Sequence, residues 1–481
     1  MQDNIIPEFA IVGHPNEGKS AVVSTLAEDD SVRVSPYPGE TIVCQTFPVT
    51  VDGKEIIRFT DTPGFQNPTR VLAWMNNYEG PDRQIVRAFI DTHGDNPDFR
   101  EDCELFSPVA KGAGIIYIVD GSRPVRKVDL SEMEILRLTG RPRMAIINCK
   151  EDEAGYLDQW KNEFRKHFNA IRIFNAHRAT FAERIVLLEN LKGIEQDWEP
   201  ALETVISALK EDWRLRNASS AEIICEMVEA CLTLRISKKI AAEMDEASLR
   251  KKLLEEYKAA LEKIEKTAHR KIRQSYKHNI FNYDLPPHSI LHEDLFDKKT
   301  WQVLGLTPKQ LITAAGLAGG TVGLVLDLAT AGISFGIFTA IGGIAGAGWT
   351  ALGGGKRLAR TKVMGLNLGG QLMRIGPIEN LQFIYILMDR ALIFYSHIIN
   401  WAHGRRDYPD REPQSVETQK SGFTSQWDNR IKKRYRDFYG AIRSGHEEKA
   451  ARSRREFKEL LQEQLQEISF SDKVYDKFYR V

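Results

Sequence analysis

Cysteine is scarce in this chain: Cys44, Cys103, Cys149, Cys225 and Cys231 are the five present in 481 residues. They show neither paired metal-ligand spacing nor a disulfide framework, so reduced thiols in a cytosolic setting are expected. Net charge is absent too, with 66 basic residues against 66 acidic ones. That balance argues against a protein built to coat nucleic acid. The opening Met1-Gln2-Asp3-Asn4-Ile5-Ile6-Pro7 lacks the basic flank and long apolar core of a signal peptide. Long uncharged runs are missing everywhere except residues 311–355. At this length about two to four domains are expected.

What is present begins with Gly13-His14-Pro15-Asn16-Glu17-Gly18-Lys19-Ser20, of the form G-x-x-x-x-G-K-S. The apolar run Phe9-Ala10-Ile11-Val12 precedes it, and the helix-compatible Ala21-Val22-Val23-Ser24-Thr25-Leu26 comes after it. This is the strand–loop–helix context of a phosphate-binding loop. Glycines let backbone N–H groups curl around phosphates, and the helix N-terminus adds a favourable dipole. The loop residues Gly13, Asn16, Glu17, Gly18, Lys19, Ser20 and Ala21 are therefore expected to hold a nucleotide. Lys19 would reach the β- and γ-phosphates, and the Ser20 hydroxyl would hold Mg²⁺. Two strand-like runs, Ile42 to Val51 and Glu55 to Thr60, are joined by the hairpin signal Asp52-Gly53. The second run leads into Asp61-Thr62-Pro63-Gly64. A carboxylate at a strand end suits a Mg²⁺ partner reached through water. Gly64 would let a backbone N–H approach the γ-phosphate.

These motifs carry a resemblance. Residues 8–64 resemble the start of a small GTPase-type domain of the Era/TrmE-like group, within the wider class of P-loop GTPases. The quoted loop, Pro38-Gly39-Glu40-Thr41 and Asp61-Thr62-Pro63-Gly64 are similar to that group's first three nucleotide boxes. The resemblance implies GTP and GDP as ligands, and Thr41 as the switch residue closing on Mg²⁺ and the γ-phosphate. It implies that Asn16 either helps hold a K⁺ ion against the phosphates or is simply a turn-forming residue. Phe65 stands where Ras-type enzymes carry a water-orienting Gln. An apolar ring cannot orient water, so unaided hydrolysis is expected to be slow. Catalysis would rest on Lys19, Thr41, Gly64 and Asn16, and the metal on Ser20, Thr41 and Asp61.

The guanine boxes depart from the group's pattern. Asn148-Cys149-Lys150-Glu151-Asp152 comes after the apolar run Met144 to Ile147, where N-K-x-D is expected. The carboxylate for guanine N1 and N2 is either Glu151, in register, or Asp152, displaced by one. Asn175-Ala176-His177 sits where S-A-K is expected, and Ala176 could offer its N–H to guanine O6. Residues 66–110 exceed the usual link to the next strand. A helix is predicted over Pro81 to Ile90, with Gly94 as a stop, and another capped by Asp98 and running through Phe106. Asp91 and His93 could form an acid–base pair or mark a solvated helix end.

Beyond about residue 195 the strand pattern stops. Helical spacing covers Glu199–Arg216 and Ser220–Ala242, and Glu246–His278 reads as a long charged helix. Thr307-Pro308 starts another helix, with Thr as cap. Residues 311–355 hold thirteen glycines and one charge, Asp327. Small residues four apart, as at Gly316/Gly320 and Gly332/Gly336, let helices approach closely, as in membrane helix pairs. The 28 residues from Leu328 to Gly355 are long enough to span a bilayer. Lys356, Arg357, Arg360 and Lys362 come next, and could meet anionic headgroups. The stretch is either a membrane-docking hairpin or a tightly packed one inside the helical region. Leu381–Ala402 should pack against it; 404–425 reads as a mobile loop, and Trp427 to Glu467 as charged helices.

The fold expected is an α/β P-loop NTPase domain with a mainly parallel sheet and helices on both faces. A mostly α-helical domain with a Gly-rich apolar hairpin comes after it. Boundaries are drawn at 1–195, 196–310, 311–402 and 403–481. The expected function is a slowly hydrolysing GTP switch on the inner face of the cytoplasmic membrane or free in the cytoplasm. Its partners would be guanine nucleotide, lipid through 311–355 and a protein at 66–110; a nucleotide-dependent homodimer is also expected. The rivals are a dynamin-like membrane-remodelling or pore-like protein, and a soluble nucleotide-stabilised scaffold.

Overall fold

The computed structural model describes residues 6–14, 17–27, 41–149, 155–174, 181–240, 245–276, 289–315, 362–363, 366–367, 371–399 and 422–470. Two compact units divide between Leu215 and Arg216.

In the first unit, six strands form one sheet in the order β2-β3-β1-β4-β5-β6. They are β1 Glu8–Val12, β2 Gln45–Val51, β3 Lys54–Asp61, β4 Gly114–Asp120, β5 Arg143–Asn148 and β6 Ala170–Phe174. Only β2 runs antiparallel, on β3; every other pairing is parallel. The β2–β3 turn is Asp52-Gly53, with φ of 52° and 75°. Two consecutive positive φ values are what a tight hairpin requires, and Asp-Gly tolerates both. Strands β1 and β4 are apolar along nearly their whole length because helices cover both faces. Those helices include α1 Lys19–Ala27, α2 Pro68–Asn76, α3 Ile85–His93, α4 Arg100–Ala110, α5 Lys127–Leu138, α6 Leu157–His167 and α7 Phe181–Lys192. A buried core of Val71, Met75, Phe89, Phe106, Ile115 and Tyr117 joins α2–α4 to the sheet. Connections from β1 and β4 leave on opposite sides of the sheet centre, which makes the loop after β1 the place where a ligand binds in such sheets.

The segment between β3 and β4 differs in detail from the sequence expectation. The helix expected over Pro81 to Ile90 is a short 3₁₀ turn at Asp82–Gln84 followed by α3. Asp98 does not cap the helix through Phe106: α4 starts at Arg100 without a side-chain cap, and Asn96 caps the 3₁₀ turn Pro97–Phe99 before it, accepting the Asp98 N–H at 3.0 Å. Asp98 is instead spent on Arg70, at 2.9 Å. His93 packs against the rings of Trp74, Phe89 and Phe99, whereas Asp91 pairs with Arg87. They form no acid–base pair.

A larger correction concerns residues 199–242. One continuous helix, α8, runs Glu199–Thr233 and crosses the unit boundary. The polar Asn217-Ala-Ser-Ser stretch does not interrupt it, because Asn217 Oδ1 accepts hydrogen bonds from Tyr276 and Tyr395, at 3.0 and 2.5 Å. The end of the second expected helix is a strand, β7 Ile236–Ile240, paired antiparallel with Gln371–Ile375. That strand is β10, since the short antiparallel pair β8 Lys362–Val363 and β9 Leu366–Asn367 precedes it. The segment Ile236-Ser-Lys-Lys-Ile240 gains its partner only from a segment more than 130 positions away.

The second unit is otherwise helical, with α9 Glu246–Ser275, α10 Lys298–Val303, α11 Pro308–Ala315, α12 Gln382–Ile399, α13 Asn429–Arg443 and α14 Glu447–Ser469. Helix α11 starts as expected: Thr307 Oγ1 accepts the Gln310 N–H, and Gln310 Oε1 accepts the Thr307 N–H at 3.0 Å. Helix α12 is buried on every face, as its apolar circumference demands. Its charges are paired within the unit. Asp389 accepts from Gly305 N, Thr424 N and Thr424 Oγ1 at 2.6, 2.7 and 2.9 Å. Arg390 grips Glu265 through two bonds, of 2.6 and 3.0 Å. Among the described residues no helix is long and apolar enough to cross a membrane. Residues 316–361, which hold most of the glycine-rich stretch, lie outside those described, as do 404–421 of the loop expected over 404–425, whose end carries a short 3₁₀ turn at Thr424–Gln426.

Candidate functional site

The loop after β1 owes its shape to two glycines. Gly13 has φ +151°, and a Cβ there would collide with the Ile118 carbonyl oxygen. Gly18 has φ +93° and leads into α1. At the first position of α1, Lys19 is buried, and its Nζ donates to the carbonyl oxygens of Gly13 and His14 at 3.3 and 3.1 Å. Burial pulls its pKa down; the charges of Asp61, Glu132 and Glu17 act the other way.

Beside it, hydroxyls from two segments converge on one carboxylate. Ser20 Oγ donates to Asp61 Oδ2 at 2.8 Å, and Thr41 Oγ1 to the same oxygen at 3.3 Å. Asp61 is 3 % exposed, and its Oδ1 is buried without a geometrically sound hydrogen bond. Burial raises its pKa, opposed by Lys19 and the two hydroxyls. Two neutral oxygens and a carboxylate with an unspent oxygen suit a hard divalent cation. Among the described residues no three His, Cys, Asp or Glu side chains gather into a metal cage. The turn after Asp61 is anchored by Thr62, fully buried, whose Oγ1 donates to Ile11 O at 2.7 Å. That bond ties the turn to β1. Phe65 is buried at 1 % exposure and packs edge-on to Phe106 at 6.1 Å. It lies in the core, where it can orient no water.

Asn148, at the end of β5, is buried and donates from Nδ2 to Glu17 O at 3.0 Å. The last residue of the strand thus grips the phosphate-type loop from behind. Cys149 comes next, with its N–H on Phe174 O at 3.0 Å. Of the residues singled out from sequence, Gly13, Glu17, Gly18, Lys19, Ser20, Ala21, Thr41, Asp61, Gly64 and Asn148 lie at or next to the carboxyl ends of β1, β3 and β5. Asn16, Glu151, Asp152, Asn175, Ala176 and His177 lie outside the described residues.

Other contacts have no signal in the sequence. Asp102, buried in α4, accepts the Gln66 N–H at 3.0 Å, and Glu101 accepts Gln66 Nε2 at 2.7 Å. Asn67 Nδ2 donates to Asp98 O at 2.7 Å. The segment after the D-T-P-G turn is therefore stapled to the start of α4. Glu132, in α5, is fully buried; Tyr117 OH donates to it at 2.8 Å and His14 Nδ1 lies 3.0 Å from it. The partners of these residues come from distant elements, so neither motif nor period could have announced them.

Comparison with known proteins adds two regions of likeness. Residues 8–149 match the family described as 50S ribosome-binding GTPase (MMR_HSR1). Residues 161–465 match the family described as a domain of unknown function, DUF3482. GTPase Der of Agathobacter rectalis is 28% identical over 166 residues, 34% of this chain and 32% of the relative. GTPase Der of Thermotoga neapolitana is 39% identical over 64 residues, 13% of this chain and 14% of the relative. The match to the first of these spans about a third of the relative's length. Among solved structures, Era of Aquifex aeolicus bound to GDP.AlF4- is 18% identical, with TM-score 0.24, covering 50% of this chain and 74% of that one. NFeoB of S. thermophilus bound to GMPPNP is 15% identical, with TM-score 0.24, covering 56% and 99%.

Proposed function

This chain belongs to the DUF3482 family and carries a P-loop GTPase domain at its N-terminus; from that premise we propose a nucleotide switch that binds Mg²⁺–GTP and hydrolyses it slowly. The observation that carries the proposal is the meeting of Ser20 and Thr41 hydroxyls on Asp61 beside the buried Lys19. In this reading the backbone N–H groups of residues 13–21 face the phosphates. The Lys19 ammonium gives up its two carbonyl bonds in favour of phosphate oxygens, a stronger charge-assisted pairing. Ser20, Thr41 and, through water, Asp61 hold Mg²⁺, which supplies charge neutralisation on the phosphates. Gly64 offers its N–H to the γ-phosphate from the turn that Thr62 anchors. Asn148 braces the loop at Glu17, and a carboxylate from Glu151 or Asp152 selects guanine, with Ala176 N–H on guanine O6. Because Phe65 is buried, no side chain at its position orients the attacking water, which supports slow turnover.

Nucleotide state would be read by Thr41 and the turn at 61–64, then by the 66–102 segment stapled to it. K⁺ held by Asn16, lipid contact through 311–355, a protein partner at 66–110 and a nucleotide-dependent dimer belong to the same reading. They rest on sequence alone. The test is titration calorimetry of Mg²⁺ with a non-hydrolysable GTP analogue. Lys19→Ala and Ser20→Asn are expected to abolish binding while the fold persists; unchanged affinity in both would sink the assignment.

A further inference from the structure

Glu17 is an acid inside a loop that, on the proposed function, must surround several phosphate charges. Its carboxylate is 4 % exposed and turns away from solvent. One oxygen accepts the Asp120 N–H in a very short contact. The other accepts Arg123 Nε and Nη2 at 2.8 and 2.5 Å, with Arg126 Nη2 at 3.8 Å. Arg123 reaches on to Asp129, fully buried in α5, at 2.7 and 3.0 Å. Asp129 also accepts the Arg126 N–H at 2.7 Å, which caps α5. Trp160 backs this set, with its Nε1 on Arg123 O at 2.8 Å. Burial alone pushes the Glu17 carboxyl up, and Arg123 is the main counterweight.

We propose that Arg123 is a positioning residue for nucleotide: it neutralises Glu17 and ties the phosphate loop to β4 and α5, keeping the loop's N–H groups aimed at phosphate. The inference rests on the proposed function and extends it to a residue 106 positions from the loop. Without the guanidinium, an uncompensated carboxylate would stay buried in the loop that takes the phosphates, held by the Asp120 N–H and with the half-exposed Arg126 at longer range. Like charges at close quarters in a poorly solvated site oppose binding.

The experiment is equilibrium binding of mant-GDP with Mg²⁺ to the full chain and its variants. Arg123→Ala is expected to raise Kd roughly tenfold or more, since hydrogen bonds to a charged group are lost. The double variant Glu17→Gln/Arg123→Ala, with the offending charge removed as well, is expected to return to within about threefold of wild type. Each variant is first shown to be fully folded by circular dichroism, because a purely structural role for Arg123 would leave the affinity of the folded protein unchanged. Wild-type affinity in Arg123→Ala, or a double variant as weak as the single, overturns the proposal. If Arg123→Ala does not fold, Arg123→Lys against Arg123→Gln takes its place, with Gln about tenfold weaker than Lys expected and equal affinities overturning it. Lys19→Ala separates the two readings. Tight binding that Lys19→Ala leaves unchanged refutes the nucleotide site itself, as does a wild type that binds no mant-GDP.

Discussion

Replacing Asp102 by Asn should make the protein's stability advantage over wild type depend on pH. Asp102 sits fully buried at the start of α4 and accepts the Gln66 N–H at 3.0 Å. Burial pushes its carboxyl up to about 6 from an ordinary 3.8, against the pull of the Gln66 and Asn67 main-chain N–H groups. A raised acid pKa in the folded state means that folding favours the proton. Well below pH 3.8 the group is neutral in both states and costs nothing. As pH rises from about 4 to 6 the unfolded chain ionises first, and the folded state loses ground. Above about 6 the full difference applies, roughly two pKa units or about 3 kcal/mol. Between about pH 5 and pH 7.5 roughly half of that range, about 1.4 kcal/mol, is traversed. The substituted amide keeps an acceptor for the Gln66 N–H and carries no charge. Urea unfolding of both proteins across this interval should therefore show the Asn variant gaining on wild type with pH, then levelling off. A stability difference that stays flat would refute the argument. Asp102→Ala supplies the contrast: it leaves the Gln66 N–H unpaired, should cost about 1–3 kcal/mol, and should slow GTP turnover, where Asn largely preserves it.

Three further expectations concern the buried ion pair of the second unit, the cation and the glycine-rich stretch. The Arg390–Glu265 pair is 5 % and 4 % exposed, so Arg390→Met should cost about 3–5 kcal/mol in denaturant unfolding by stranding the acid. Glu265→Gln/Arg390→Met should recover most of that loss; no recovery would mean that Arg390 acts through its bonds to the 290–293 carbonyls. Burial works against the charge of Glu265, yet Arg390 holds its pKa below the ordinary value, so this support fades as pH falls into the acid range. If Asn16 holds a cation, GTP hydrolysis should run faster in K⁺ than in Na⁺, with the difference gone in Asn16→Ala; equal wild-type rates would remove the cation role. Liposome flotation with GTP, GDP and no nucleotide tests the glycine-rich stretch: nucleotide-dependent flotation lost in Gly336→Arg would support a membrane switch. Protein that stays at the bottom in every state would count against lipid contact.

Much of the first unit was legible because its devices are local. A phosphate loop must be contiguous, so Gly13, Gly18, Lys19 and Ser20 announce themselves by spacing. The Asp52-Gly53 hairpin needs two adjacent positive φ values, which those residue types supply. Continuous apolar runs such as Gly114–Asp120 betray strands covered on both faces. The second unit read less well. The apolar stripe of α9, the Thr307-Pro308 start of α11 and the apolar run of α12 foretold those helices, yet helical spacing missed β7, a strand only by virtue of β10.

By itself, then, the sequence determined the sheet-and-helix alternation, the P-loop after β1, and the helical character of the second unit. Each depends on residues within a turn or two of one another. The tertiary structure alone decided which charges meet. Arg123 reaches Glu17 because β4 lies beside β1, and Asp102 reaches Gln66, 36 positions away, because α4 packs under the turn that leaves β3. Arg390 finds Glu265 across 125 positions between two buried helix faces. Pairings of this kind arise from the order of strands and the packing of faces, and local pattern carries no record of either.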